Sequence, residues 1–224
     1  MVKPLVESEK LVDLSFMPSL QCDLSCGHCM YNSSPTNTAS LDLVQTRLFT
    51  KTVDWDVINS CGFYGGEPGI NLPLYAEFIN LVPKSTPRFT ITDGTWSRTQ
   101  GRTAKFVEWA LEHNLQVFVS STPYHLPYQN LDILLEVCEK YHSFTIKGDD
   151  TIIPMGRMAK DGWTCGFKCR SFTGPVRFAV TPGGNIIFQS CDGVYPVVGT
   201  YKKSFDNLLK VYESVVARCQ QMRV

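Results

Sequence analysis

The chain predicts an α/β fold with a parallel sheet, followed by a small C-terminal β-hairpin-plus-helix extension. Short apolar runs alternate with amphipathic stretches from about Leu11 to about Met158, and the texture changes near Lys160. Residues with reactive chemistry fall just after the apolar runs. Repeated strand-then-helix units build parallel sheets with right-handed crossovers. Such folds place their sites at the carboxyl ends of the strands.

Taken in order, Val12-Asp-Leu-Ser-Phe-Met17 predicts the first strand, with three cysteines in the loop after it. Leu41 to Trp55 has helical spacing. Val57 to Tyr64 predicts the second strand, ending in Gly65-Gly66-Glu67-Pro68. Leu72 to Val82 predicts a helix with Leu74, Phe78, Leu81 and Val82 on one side. Arg88–Thr92 is a strand, Thr103–His113 a helix and Leu115–Ser120 a further strand. Leu131, Leu134, Leu135 and Cys138 form a stripe at helical spacing, and Phe144–Ile146 and Thr151–Ile153 are strand material.

Beyond residue 160, Trp163 to Cys169 is loop-like. Val176–Val180, Pro182-Gly-Gly-Asn185 and Ile186–Phe188 predict a β-hairpin with glycines in its turn. A last helix starts near Ser204, a suitable N-cap, and carries Phe205, Leu208, Leu209, Tyr212, Val215, Val216 and Cys219 on one face. The expected division is a core at 1–160 and an extension at 161–224.

The bulk properties exclude several classes. The 224 residues suit one large domain, or one with an appendage. Lys+Arg and Asp+Glu both number 21, so the chain offers no footprint for a long nucleic acid, although Arg98, Arg102 and Lys105 form a local basic patch. No apolar run approaches the ~18 residues that span a bilayer. The first ten residues are too polar for a signal peptide, so a cytoplasmic protein is expected. Its nine cysteines then read as ligands, catalysts or core residues rather than a disulfide framework.

The most informative segment is Cys22-Asp-Leu-Ser-Cys26-Gly-His-Cys29. Thiolates select iron–sulfur clusters, zinc or Cu(I). A cubane cluster has four irons, so three thiolates leave one iron open to an outside ligand, whereas electron carriers normally fill all four with Cys. Asp23, Ser25 and Gly27 favour the tight turns that let loop cysteines converge. The competing readings are a zinc loop completed by His28 and ordinary core cysteines.

Read together, this run, the strand before it and the Gly-Gly-Glu-Pro after the next strand resemble the radical S-adenosylmethionine (SAM) enzymes. The resemblance implies a shortened, partial (β/α) TIM-type barrel. It also implies a [4Fe–4S] cluster on Cys22, Cys26 and Cys29, whose open iron binds the amino and carboxylate groups of SAM. Electron transfer from the cluster then cleaves the sulfonium and releases a 5′-deoxyadenosyl radical. Gly65, Gly66 and Glu67 are implied to meet the methionine ammonium, with glycine permitting close backbone approach, and His28 takes the position near the adenine. Thr92-Asp93-Gly94 occupies the place where the family often shows Thr-Asn-Gly, with Asp replacing Asn. Ser120 and Ser121 end the fourth strand, where the family often sets a polar residue against the ribose or carboxylate.

Pro154-Met155-Gly156-Arg157 looks like the segment that closes the barrel in members with a cysteine-bearing extension. Its distance from Ser121 implies a barrel shorter by about one βα unit. The C-terminal part resembles SPASM or "twitch" extensions, so Cys165, Cys169 and Cys191 are candidates for a second iron–sulfur cluster, with Cys219 or a substrate as a fourth ligand. A zinc site or free thiols are the alternatives there, and Cys61, Cys138 and Cys219 also fit structural roles. The implied partners are SAM, a reductant protein such as flavodoxin or ferredoxin, and a peptide or protein side chain as substrate. A small-molecule or nucleoside substrate is the rival. From another class come a non-catalytic iron–sulfur or zinc protein and a SAM-binding scaffold without turnover.

Overall fold

The structure, a computed structural model, describes residues 12–148, 176–188, 197–208 and 210. Strands β1 (Val12–Phe16), β2 (Ile58–Phe63), β3 (Arg88–Thr92), β4 (Leu115–Ser120) and β5 (Phe144–Lys147) alternate with helices α1 (Leu43–Thr50), α2 (Leu72–Ile79), α3 (Gln100–Glu112) and α4 (Leu131–Lys140). Strands β6 (Val176–Val180), β7 (Asn185–Phe188) and β8 (Val197–Thr200) follow, then a helical turn at residues 205–208. All eight strands share one sheet in the order β5-β4-β3-β2-β1-β6-β7-β8. From β5 through β6 neighbouring strands are parallel, while β6–β7 and β7–β8 are antiparallel. Among the described residues the sheet stays open, as a partial barrel requires.

Each α-helix starts on a side chain that accepts a first-turn N–H: Asp42, Asn71, Thr99 and Asn130. The helices cover one face of the sheet. Leu14, Phe16, Phe63, Val117 and Phe178 pack there with Phe78, Trp96 and Phe106 in one continuous core. The opposite face carries a smaller cluster of Met17, Tyr64, Ala179 and Ile187, with Tyr31 and Phe89 against it.

The expected strands 88–92 and 115–120 match residue for residue, and the hairpin forms where its glycine turn placed it. Other details are new or differ. Helical spacing over 41–55 yields a helix only at Leu43–Thr50, because Asp54 caps a separate short turn at Trp55–Val57. On α4 the buried residues are Leu134 and Val137, whereas Leu131 and Leu135 are exposed. The hairpin also joins the core sheet directly, since β6 pairs with β1 along its whole length. Thr151–Ile153, Pro154–Arg157 and the last-helix residues beyond 210 lie outside the described residues.

Register then positions the site. Phe16 stands level with Phe63 on β2 and with Val180 on β6, so the cysteine loop and the Gly65–Glu67 turn leave the sheet at one height. Thr92 stands level with Val119, which brings the ends of β3 and β4 alongside.

Candidate functional site

The cysteine loop is closed at its base by backbone bonds. Leu20 N–H donates to Ala39 O at 2.8 Å, and Cys22 N–H to Ser34 O at 3.1 Å. Inside the loop Cys29 N–H donates to Cys26 O at 3.1 Å, the tight turn that the small residues between them allow. Two sulfurs already accept backbone N–H groups: Cys22 Sγ from Leu24 at 3.4 Å and Cys29 Sγ from Ser33 at 3.3 Å. Such bonds stabilise thiolate sulfur and tune a bound cluster.

The turn after β2 is strapped to the same loop. Gly66 N–H donates to Ser19 O at 2.7 Å, Glu67 N–H to Gln21 O at 2.9 Å, and Ser33 Oγ to Gly65 O at 2.7 Å. Both glycines are required sterically. Gly65 has φ +124°, a region closed to other residues, and a Cβ on Gly66 would land on the Gln21 backbone.

Glu67 is the surprise among the expected residues. It borders the pocket, but its side chain is 2% exposed and its carboxylate is engaged by the protein. Oε1 accepts from Gly69 N–H at 2.8 Å, Oε2 from Asp93 N–H at 2.8 Å, and Thr92 Oγ1 donates at 2.7 and 2.9 Å. Thr92 Oγ1 in turn accepts from Trp96 Nε1 at 3.0 Å and from Gly94 N–H at 3.1 Å. The carboxylate therefore ties the end of β2 to the end of β3. Burial holds its proton affinity well above the usual carboxylate range and the Asp93 charge adds to this, against the pull of the three donors.

Asp93 Oδ1 accepts from Thr95 N–H at 2.9 Å, and its Oδ2 accepts the Cys22 thiol at 3.5 Å. Burial, then the Asp23 charge, push its pKa up to about 6. Burial and the same acidic neighbours push the Cys22 thiol strongly upward, so in the unloaded chain that thiol keeps its proton. Metal loading releases such protons. At the mouth, His28 stacks on Tyr124 at 4.4 Å between ring centroids and meets His125 edge-on at 5.0 Å. His125 is pushed down to about 4 by burial and by His28, so it is neutral at pH 7.

One pocket collects Cys22, Cys26, Cys29, His28, Gly65, Gly66, Glu67, Thr92, Asp93 and Ser120. Ser121 turns away from it, donating to Gln129 Oε1 at 2.9 Å. Cys165, Cys169, Cys191 and Cys219 lie outside the described residues. Tyr31, Tyr64, Ile91 and His125 also line the pocket, and sequence reasoning missed them. Tyr64 and Ile91 were within reach, as residues at strand ends beside the predicted turns; nothing local marked His125.

Two donor sets lie here. The sulfur of Cys22 and carboxylate oxygens of Asp23 and Asp93 lie within 4.8 Å of one another, a set that suits a hard cation only in part. The three thiols of one short loop, with N–H groups on two of the sulfurs and no fourth cysteine among the described lining residues, fit a cluster with one open iron.

No family model matches the sequence. The "Putative peptide biosynthesis protein YydG" of Bacillus subtilis strain 168 is 25% identical over 132 residues, covering 56% of this chain and 41% of the relative. The chain thus matches less than half of that relative's length. Among solved structures, BtrN in complex with AdoMet and 2-DOIA superposes with a TM-score of 0.62 at 14% identity, covering 89% of this chain and 82% of BtrN. The chain therefore shares the fold of that structure. Native anSMEcpe, with bound AdoMet and the Cp18Cys peptide, shares the fold at a TM-score of 0.53 and 14% identity, over 88% of this chain and 80% of that one. Among the described residues, no helix is long and apolar enough to cross a membrane.

Proposed function

We propose that the chain is a radical SAM enzyme that acts on a peptide or protein side chain. The observation that carries the reading is the single pocket onto which the three-cysteine loop, the Gly65–Glu67 turn and the ends of β3 and β4 all open. Cys22, Cys26 and Cys29 hold a [4Fe–4S] cluster in this reading, and SAM lies beside it. When bound, the cluster supplies the electron that cleaves the SAM sulfonium and generates the radical that removes hydrogen from substrate.

The chain's own residues do the rest. The Gly65–Gly66 backbone gives the methionine end a surface without side chains. Asp93 places a carboxylate in that wall, which favours a ligand carrying an ammonium and a sulfonium. His28 and Tyr124 offer flat rings at the mouth, suited to a purine. The exposed Ile91 and the half-buried Phe89 on the open face of β3 keep the substrate side apolar and limit water, so that a positioned C–H bond is the nearest reactive partner. A protein reductant such as flavodoxin or ferredoxin supplies the electron.

The peptide reading draws on the relative described by its name as a peptide biosynthesis protein and on the peptide held by anSMEcpe. BtrN, with 2-DOIA, supports the rival reading of a small-molecule substrate. Anaerobically reconstituted protein given reductant and SAM should release 5′-deoxyadenosine. A loaded protein that forms none, across peptide and small-molecule candidates, refutes the enzyme reading in favour of a non-catalytic protein.

A further inference from the structure

Gln129 ends the short turn Leu126–Tyr128 and directly precedes Asn130, the cap of α4. Its side chain runs back across the ends of two strands. Nε2 donates to Ser120 O at 2.7 Å and to Asp93 O at 2.5 Å, while Oε1 accepts from Ser121 Oγ at 2.9 Å. A primary amide has two N–H donors, and both are used on backbone carbonyls. The flipped amide would set its oxygen against those two carbonyls, so the network admits one orientation.

The location gives these bonds their meaning. The β3–β4 ladder ends at the pair Thr92–Val119. One residue further, where the chain turns into pocket wall, the Gln129 amide takes over and joins Asp93 to Ser120. Gly94, at φ +76°, makes room for it, since a Cβ there would meet Gln129 Nε2 and Val119 Cγ1, each at 2.8 Å. Asp93 and Ser120 both line the pocket; Gln129 does not.

We infer that Gln129 is a positioning residue of the SAM pocket: it fixes the separation of the Asp93 and Ser120 walls and thereby sets cofactor affinity. The inference rests on the SAM reading above. It assigns a function to a residue that does not line the pocket.

The test compares cluster-loaded wild type, Gln129→Leu, Gln129→Glu and Ser121→Ala by calorimetric titration with SAM without reductant, by KM and kcat for 5′-deoxyadenosine release, and by thermal melting. Gln129→Leu keeps the volume and loses both carbonyl bonds. It should weaken SAM binding and raise KM by about tenfold, with kcat within about threefold of wild type. Gln129→Glu should be weaker still, because a carboxylate would face two carbonyl oxygens. Ser121→Ala removes only the hydroxyl that orients the amide, and should weaken binding about two- to threefold.

SAM affinity of Gln129→Leu equal to wild type overturns the inference. So does a loss of affinity that follows the loss of melting temperature across all three variants. Should Gln129→Leu fail to fold, unchanged affinity in Ser121→Ala overturns it equally. If wild type itself binds no SAM, the reading of the site falls and takes the inference with it; if wild type binds and the variants match it, the inference falls alone.

Discussion

Gly66→Ala is the substitution whose cost the geometry fixes most directly. A Cβ at this position would overlap the Gln21 carbonyl group, with the Gln21 carbonyl carbon at 2.7 Å and its nitrogen at 2.9 Å. An ordinary carbon contact needs the two backbones to part by roughly an ångström. That movement stretches the bonds Gly66 N–Ser19 O (2.7 Å) and Glu67 N–Gln21 O (2.9 Å) past useful length. Two backbone bonds at about 1 kcal/mol each, with their donors left in a half-buried turn, come to about 2–3 kcal/mol. Against this stands an unfolded-state gain of about 0.4–1 kcal/mol from replacing glycine. The expected net loss is about 2 kcal/mol, read from urea unfolding of the unloaded protein with the m-value unchanged. Gly101→Ala is the control: nothing lies within 4 Å of its Cβ position on α3, so helix propensity should stabilise it by about 0.5–1 kcal/mol. A Gly66→Ala protein as stable as wild type would refute the claim that the turn is packed against the cysteine loop.

Asp93→Asn removes a carboxyl that folding raises from 3.8 to about 6. A raised acid binds its proton more tightly when folded, so its favourable contribution is complete below about pH 4 and is lost as pH rises through about 6. The asparagine chain should therefore gain up to ~3 kcal/mol over wild type at about pH 8 and much less at about pH 4. Urea titrations of both proteins at the two pH values check this, and a difference independent of pH would contradict it. Replacing Cys22, Cys26 or Cys29 singly by alanine should lower iron by about four per chain on reconstitution and abolish 5′-deoxyadenosine release. Wild-type iron content in any of the three would remove that cysteine from the ligand set.

The parts of the fold legible in the sequence were those set by local repetition. Arg88–Thr92 and Leu115–Ser120 are short apolar-rich runs between amphipathic stretches, and both are strands with the expected bounds. The three cysteines and the Gly65–Gly66 pair, singled out by their motifs, come together at one pocket. What failed depended on tertiary direction. A stripe of Leu131, Leu134, Leu135 and Cys138 fits helical spacing, yet packing against β5 selects Leu134 and Val137. Glu67 is a separate case: the family resemblance implies a carboxylate facing the methionine ammonium. Here Gly69, Thr92 and Asp93 present their donors from the protein side, and the carboxylate turns to them. Gln129 left no trace, since its partners lie 8, 9 and 36 residues away and two of its three bonds go to backbone atoms.

Glu67 and Gln129 converge on one residue. Glu67 Oε2 takes the N–H of Asp93, and Gln129 Nε2 takes its carbonyl. Asp93 is thus gripped on both sides of its Cα, and its side chain reaches Cys22 from a backbone with little freedom. Either clamp alone leaves one side able to move, so most of the order is lost with the first clamp removed. Glu67→Gln and Gln129→Leu should then be less than additive in unfolding free energy, with a coupling of at least about 0.5 kcal/mol in a double-mutant cycle. Amide exchange at Gly94, whose N–H rests on Thr92 Oγ1, should rise as much in either single variant as in the double. Strict additivity in both measurements would show two independent contacts. It would also remove the reason for a buried carboxylate at 3.5 Å from the Cys22 sulfur, which is tolerable only if its backbone cannot shift it closer.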